Sequence, residues 1–485
     1  MKVLAYTSPA RGHLYPVVPI MAELARRGHR ASLYSLAGEL EQLASLGIEA
    51  SAIDPAIERI EIEDYRERSQ LGAIRSVFRA FLKRSASEGP DLEAAIAKHD
   101  PDVLLIDINC WGAATVAEAS GRPWAMYSPY LLPLPSKDAP AYGPGFRPLR
   151  GPLGSVRDAL VNRVSERISF QSAMPQINTL RSAHGLPALT RFEELLARPP
   201  LLFSLTAEGF EYPRGDWPKN VRLVGPMNWS PPLDVGPRDG LAPRAAPEEG
   251  AAFKPSSPEP TSLQPARAPA WLADLIDPLV LVTCSTERQR DKRLLHVALE
   301  ALPGAGMSVL GTTAAHDPAA FEVPPGNKVV RFVSHDAVLE RAACVVCHGG
   351  LGITQKALAA EVPVVVVPFG RDQAETSRRV EFAKAGVRLP PRRLTPQRLL
   401  DAVRGAMECR EGAQRVSRAY AAAGGAPSAA DAIEAIGHRP TPARGDTPPR
   451  ADLQRPKASD ASQSQQCISK ASDASSKPAM RLRRH

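Results

Sequence analysis

Cys347-His348-Gly349-Gly350-Leu351-Gly352-Ile353-Thr354, followed by Val362-Pro363, Pro368 and Asp372-Gln373, reads as a strand end, a glycine turn, a helix start and a second strand. Glycines let the backbone pass close to a ligand without Cβ clashes, and the free N–H groups of a new helix carry about half a positive charge that favours anions. His348 can donate a further hydrogen bond there. The apolar run from Pro363 to Pro368 reads as a buried parallel strand, which places Asp372 and Gln373 past a carboxyl strand end, where open α/β sheets bind ligands. An acid beside an amide suits hydroxyl groups. A bare strand-to-helix connection is the plain alternative, and Cys344-Val345-Val346-Cys347-His348 also matches the C-x-x-C-H haem signature. Haem attachment belongs to an exported compartment, whereas no signal peptide is read at Met1-Lys2 and both cysteines lie in a continuous apolar run.

Working outward, the amino-terminal half opens with the strand Val3-Leu4-Ala5-Tyr6 and the turn Arg11-Gly12-His13-Leu14-Tyr15-Pro16. A helix is expected next, since Val17, Ile20, Met21 and Leu24 recur at helical spacing, with Pro19 in its first turn and Gly28 past its end. Pro101 to Asn109 reads as another buried strand, with Asp107 at its carboxyl end and a helix from Trp111 to Ser120. His13 and Asp107 would then face one crevice. A histidine oriented by a carboxylate makes a general base near neutral pH; singly, each residue could equally be a capping or surface group. Further strands are expected at Leu201–Leu205, Val221–Val224, Leu279–Thr283, Met307–Leu310, Lys328–Phe332, Ala343–Cys347 and Pro363–Val367. Alternation of strands with helical segments predicts parallel sheets covered on both faces.

In order, Phe332-Val333-Ser334-His335, Val338-Leu339, His348-Gly349-Gly350, Val362-Pro363 and Asp372-Gln373 resemble the nucleotide-sugar-binding motif of family 1 glycosyltransferases. The bacterial natural-product branch, acting on macrolides, enediynes and other polyketides, is the most similar. Gly12-His13-Leu14-Tyr15-Pro16 and Asp107-Ile108-Asn109-Cys110-Trp111-Gly112-Ala113 resemble that family's catalytic-histidine and partner-aspartate motifs. The resemblance spans roughly residues 1–437. It implies an α/β chain of GT-B architecture, with two Rossmann-like doubly wound domains facing across a cleft. An acceptor domain would cover 1–228, a Pro/Ala-rich linker 229–270, a donor domain 271–437 and a basic tail 438–485. The last helix, near Ala429 to Ile436, would cross back to the first domain.

The activity implied is inverting, metal-independent transfer of a sugar from a TDP or UDP sugar to a hydroxyl of a hydrophobic natural product. No cofactor beyond that co-substrate is expected. His13 would be the base and Asp107 its partner. The donor would meet Ser285, Thr286, Phe332, Val333, His335, His348, Gly349, Gly350, Gly352, Ile353, Asp372 and Gln373. The Pro- and Gly-rich loop from Ser128 to Gly154, with Tyr130, Leu131 and Phe146, would form an apolar lip for the acceptor or a lid without ligand contact. Two residues depart from the family pattern. Lys356 stands where many relatives place a ribose-binding glutamate, and Ile353 where a hydroxyl residue often meets phosphate. A catalytically silent sugar-nucleotide-binding protein and a sugar-nucleotide epimerase of the same fold are the alternatives. A dinucleotide oxidoreductase is disfavoured, because the first strand runs into Ser8-Pro9-Ala10-Arg11-Gly12-His13 and not G-x-G-x-x-G.

Composition agrees with a two-domain enzyme: 485 residues with 44% hydrophobic content can bury two ordinary cores. The six scattered cysteines and the lack of a signal-peptide pattern suggest a cytoplasmic protein. Residues 439–485 hold ten basic and four acidic side chains, so most of the net +8 is in the tail. The remainder, about +2, offers no bulk attraction for nucleic acid. The tail repeats Lys-Ala-Ser-Asp-Ala-Ser at 457–462 and 470–475, and its composition predicts disorder.

Overall fold

Each apolar run pairs in parallel with its neighbours. The computed structural model describes residues 1–438 apart from 68, 150, 166–170, 172, 232–267 and 288; most of the expected linker and nearly all of the expected tail lie outside the described residues. One sheet is built from β1 (Lys2–Tyr6), β2 (Arg30–Ser35), β3 (Glu49–Ala52), β4 (Val103–Asp107), β5 (Trp124–Ser128), β6 (Leu201–Ser204) and β7 (Val221–Leu223). Its order is β3-β2-β1-β4-β5-β6-β7, the doubly wound arrangement. The other sheet contains β8 (Leu279–Thr283), β9 (Ser308–Thr312), β10 (Lys328–Val330), β11 (Ala342–Cys347), β12 (Val364–Val366) and β13 (Gly386–Arg388), in the order β10-β9-β8-β11-β12-β13.

Successive strand side chains point to opposite faces, so a strand covered on both sides feeds two cores. Leu4, Tyr6, Leu104 and Ile106 enter one cluster, while Val3, Ala5, Val103 and Leu105 enter the one behind the sheet. The other lobe repeats the pattern, with Leu281, Val345 and Cys347 on one face and Val282, Cys344 and Val346 on the other. Cys344 and Cys347 are thus free thiols on opposite faces, each a small core hydrophobe.

The helix Gly425–Gly437 crosses back as expected, burying Ala429, Ala430, Ile433 and Ile436 in the rear core of the first lobe. Glu434 fastens it, accepting from Arg27 at 3.1 Å and pairing with His29 Nε2 at 2.7 Å. Among the described residues no helix is long and apolar enough to cross a membrane.

Several elements depart from expectation. The first helix begins at Arg11, so the expected turn 11–16 is already helical and Pro16 and Pro19 both lie inside it. His13 therefore sits in the first turn of a 16-residue helix. Strands β2, β3, β5 and β13 and the 30-residue helix Gln70–His99 are additions to the expected elements.

That long helix carries Glu88, only 1% exposed, whose carboxyl accepts the Gly112 N–H at 2.9 Å behind the strand end holding Asp107. Burial pushes its pKa from 4.5 up to about 8. A carboxyl raised on folding contributes stability that is fully present below about pH 4.5 and lost as pH rises through about 8. Glutamine keeps the acceptor without the charge. The melting-temperature advantage of Glu88→Gln over wild type is therefore expected to grow from about pH 5 to about pH 9; thermal melts across that range check it, and a constant difference would contradict it.

Candidate active site

Asp107 ends β4 with its side chain fully buried, and four donors converge on it. His13 Nδ1 lies 2.7 Å and the Tyr127 hydroxyl 3.2 Å from Oδ2, which also takes the Ser8 N–H at 3.3 Å; the Asn109 N–H reaches Oδ1 at 2.8 Å. Acceptor-only carboxylates are satisfied by such donors. Nδ1 of His13 must then carry the proton, leaving Nε2 as the base. The side chain is 17% exposed, enough for a ligand to reach it. Tyr130 stands edge-on to the ring, with centroids 6.1 Å apart, and its hydroxyl donates to Asn109 Oδ1 at 2.8 Å.

The glycine turn lies on the opposite lobe. Gly349 has φ +96°, and a Cβ there would stand 2.6 Å from Val366 Cγ1, so the turn follows the sheet more closely than any side chain allows. The helix Leu351–Ala359 begins at Gly350 with no side-chain cap. His348 is 8% exposed, its Nδ1 has no partner among the described residues, and burial lowers its pKa, keeping the ring neutral. Uncapped helix N–H groups at this turn can form an anion site.

Asp372 joins the two sides. It precedes the helix Gln373–Phe382 on the donor lobe without a side-chain capping bond; burial raises its pKa, and the charge of His13 from the other lobe opposes that rise. Asp372 is thus within electrostatic reach of His13, and its neighbour Gln373 abuts Gly349 of the glycine turn. Arg371, at φ +53°, makes a bidentate pair across the cleft with Asp64 at 2.9 and 3.0 Å. The acceptor-side loop is docked too. Glu375 Oε1 accepts from Gly143 N and Gly145 N at 2.8 Å each, while Arg379 bridges Glu375 and Glu211 at 2.8 and 2.9 Å. Gly145, with φ +62°, is pressed so closely that a Cβ would meet the Ala374 carbonyl at 2.5 Å.

The other expected donor residues occupy varied surroundings. Ser285 is buried; its N–H binds Asp291 at 2.6 Å, and its hydroxyl accepts from Glu287 N and Gln289. Thr286 and Gly352 are exposed, Phe332 is half-buried and Val333 is buried. Burial pushes His335 down to about 3, so that ring is neutral, and its Nε2 is 3.5 Å from Thr312 Oγ1. Ile353 packs against the donor-lobe core. The amide of Gln373 is committed within its own lobe, accepting from Phe369 N and Gly370 N and donating to Gln289 at 2.6 Å. Lys356 donates to Trp229 O at 2.6 Å, tying the start of the expected linker to the donor helix.

Of the three expected acceptor residues, only Tyr130 reaches the His13 pair. Leu131 is fully buried within the donor-lobe core cluster, so its side chain packs there and lines no cleft surface. Phe146 lies under the Arg157 guanidinium, 4.7 Å from the ring centre. Asn109, Tyr127, Asp64, Arg371 and Glu375 were not among the expected site residues. Asn109 lies inside the quoted Asp107–Ala113 motif and Arg371 adjoins Asp372; nothing local marks the others. Cys284, Asp291 and His316 each bring a ligand atom within 4.8 Å of the others, but the Asp291 carboxylate already binds Ser285 N and His316 Nε2.

Residues 305–436 match the family model for the erythromycin biosynthesis protein CIII-like C-terminal domain. The chain is 30% identical over 450 residues to 4'-demethylrebeccamycin synthase of Lentzea aerocolonigenes, covering 90% of this chain and 99% of that relative. A solved glycotransferase of kitacinnamycin superposes with a TM-score of 0.65 at 22% identity, covering 90% and 98% of the two chains. The glycosyltransferase VinC in complex with dTDP superposes with a TM-score of 0.62 at 19% identity, covering 91% and 100%. These likenesses establish the two-lobed GT-B fold.

Proposed function

Because this chain belongs to the family 1 glycosyltransferases of natural-product type, we propose that it catalyses a single inverting displacement from a TDP or UDP sugar to a hydroxyl of a hydrophobic acceptor. The observation that carries the reading is the His13–Asp107 pair, 2.7 Å apart, with Asp372 of the other lobe within its electrostatic reach. Nε2 of His13 removes the acceptor proton as the oxygen bonds to the anomeric carbon. The bond to the diphosphate breaks on the far side, and that group departs with its electron pair toward His348 and the helix start at Gly350. Asp107 stabilises the imidazolium that results. Donors preorganised for the departing charge supply the electrostatic stabilisation, so no metal is invoked. In this reading Asp372 accepts from sugar hydroxyls. Support for a thymidine donor comes from the dTDP complex of VinC, a neighbour in fold.

A thermal-shift panel of TDP, UDP and GDP tests the donor. Ligand at about one hundred times its Kd stabilises the native state by about 2.7 kcal/mol. TDP or UDP is expected to raise the melting point and GDP much less, with both the shift and later turnover unchanged by EDTA. A protein indifferent to all three nucleotides would refute the reading. Release of nucleoside diphosphate without an acceptor would redirect it toward epimerase-like chemistry.

A further inference from the structure

We infer that Asn109, held by Tyr130, is a positioning residue that keeps His13 in the proton-accepting tautomer and yields its place at Nε2 to the acceptor hydroxyl. This rests on the reading of His13 as the base. Asn109 is 6% exposed, and its Nδ2 lies 3.3 Å from His13 Nε2. Its backbone N–H binds Asp107 Oδ1, so one residue touches both members of the pair. Which end of the amide faces the ring follows from its two neighbours together, the Tyr130 hydroxyl at Oδ1 and, at Nδ2, the Nε2 of a ring whose Nδ1 donates to Asp107. Burial raises that phenol well above its ordinary pKa, so it stays protonated and donates to Oδ1. The NH₂ group is thereby turned toward the imidazole, where it can only donate. Nε2 must accept, which agrees with Nδ1 donating to Asp107.

An imidazolium would present N–H to N–H at this contact. Asn109 can therefore bond Nε2 only when that nitrogen is bare, and its hydrogen bond is one that an incoming hydroxyl can replace. The other titratable groups facing His13 are Asp107 on β4, Tyr127 on β5, Tyr130 just beyond it and Asp372 from the donor lobe. Arg11, on the same helix, is turned away to Glu39, which accepts from its Nε at 2.6 Å.

The experiment is the pH dependence of kcat/KM for wild type, Asn109→Asp, Asn109→Ala and Tyr130→Phe, with His13→Ala as reference. Asn109→Asp replaces the donor by an anionic acceptor, so the acid limb is expected to move to higher pH by about one unit, a tenfold change in protonation balance. Asn109→Ala and Tyr130→Phe should move it the same way by less, with KM for the donor unchanged. Superimposable profiles for wild type and Asn109→Asp would overturn the inference. If His13→Ala is inactive while Asn109→Asp superimposes, only the positioning role fails; if His13→Ala turns over normally, the base reading itself fails. Should Asn109→Asp not fold, the imidazole ¹⁵N spectrum of the wild type decides. Protonation of His13 at Nδ1 with bare Nε2 supports the inference, and the reverse tautomer overturns it.

Discussion

Replacement of His13 by alanine is expected to lower kcat by about 10²- to 10⁴-fold, the range of a positioned general base. Nucleotide binding should be unaffected, because the imidazole lies on the lobe opposite the glycine turn. The side chain is held by Asp107, and Asp107 has three further donors, so the variant leaves a satisfied carboxylate and not an orphaned charge. Stability should therefore change little. Single-turnover kinetics beside a TDP or UDP titration separate the two effects. A loss of nucleotide affinity matching the loss of rate would show that the histidine serves the donor and not the acceptor.

The second large effect is expected at Gly349. Alanine there must adopt φ +96° and bring a Cβ to 2.6 Å from Val366, a stiff β-branched core residue. Backbone strain of this kind costs on the order of 1–3 kcal/mol, and the shift that relieves it moves the N–H groups meant for the diphosphate. Gly349→Ala should thus lose about tenfold or more in nucleotide affinity and melt at a lower temperature. Gly352 is the control, since it is helical and exposed, and a Cβ at that position would meet nothing within 4 Å. Gly352→Ala should melt slightly higher and bind as wild type. Equal behaviour of the two variants would contradict the close-approach argument.

What could be read from the chain follows from how local each signal is. The buried central strands β1, β4, β8 and β11 are continuous apolar runs and stand out. Arg30–Ser35 and Glu49–Ala52 carry polar residues and lie toward a sheet edge, and Gly386–Arg388 is three residues long, so none shows a period. The helix Gln70–His99 contains Gly72, Gly89 and Pro90, residues that normally interrupt a helix and are tolerated here by packing. The same holds for the site. Asp107 ends one readable strand, and His13 opens the helix that follows another, so their meeting was foreseeable. The orientation of Asn109 was not, because it depends on a tyrosine 21 residues away and an imidazole 96 residues away. Glu375 meets Gly143 and Gly145 across 232 and 230 residues of sequence, with no pattern linking them.

That last contact bears on how such enzymes can be recombined. A hybrid joining this amino-terminal half to a relative's carboxyl-terminal half would bring Gly143 and Gly145 against a foreign helix, and a side chain with an acceptor oxygen, as the Glu375 carboxylate has, is needed there to receive both amides. Hybrids built by exchanging halves should therefore succeed when that carboxylate and the pair of glycines travel together, and should tend to gape when they are parted.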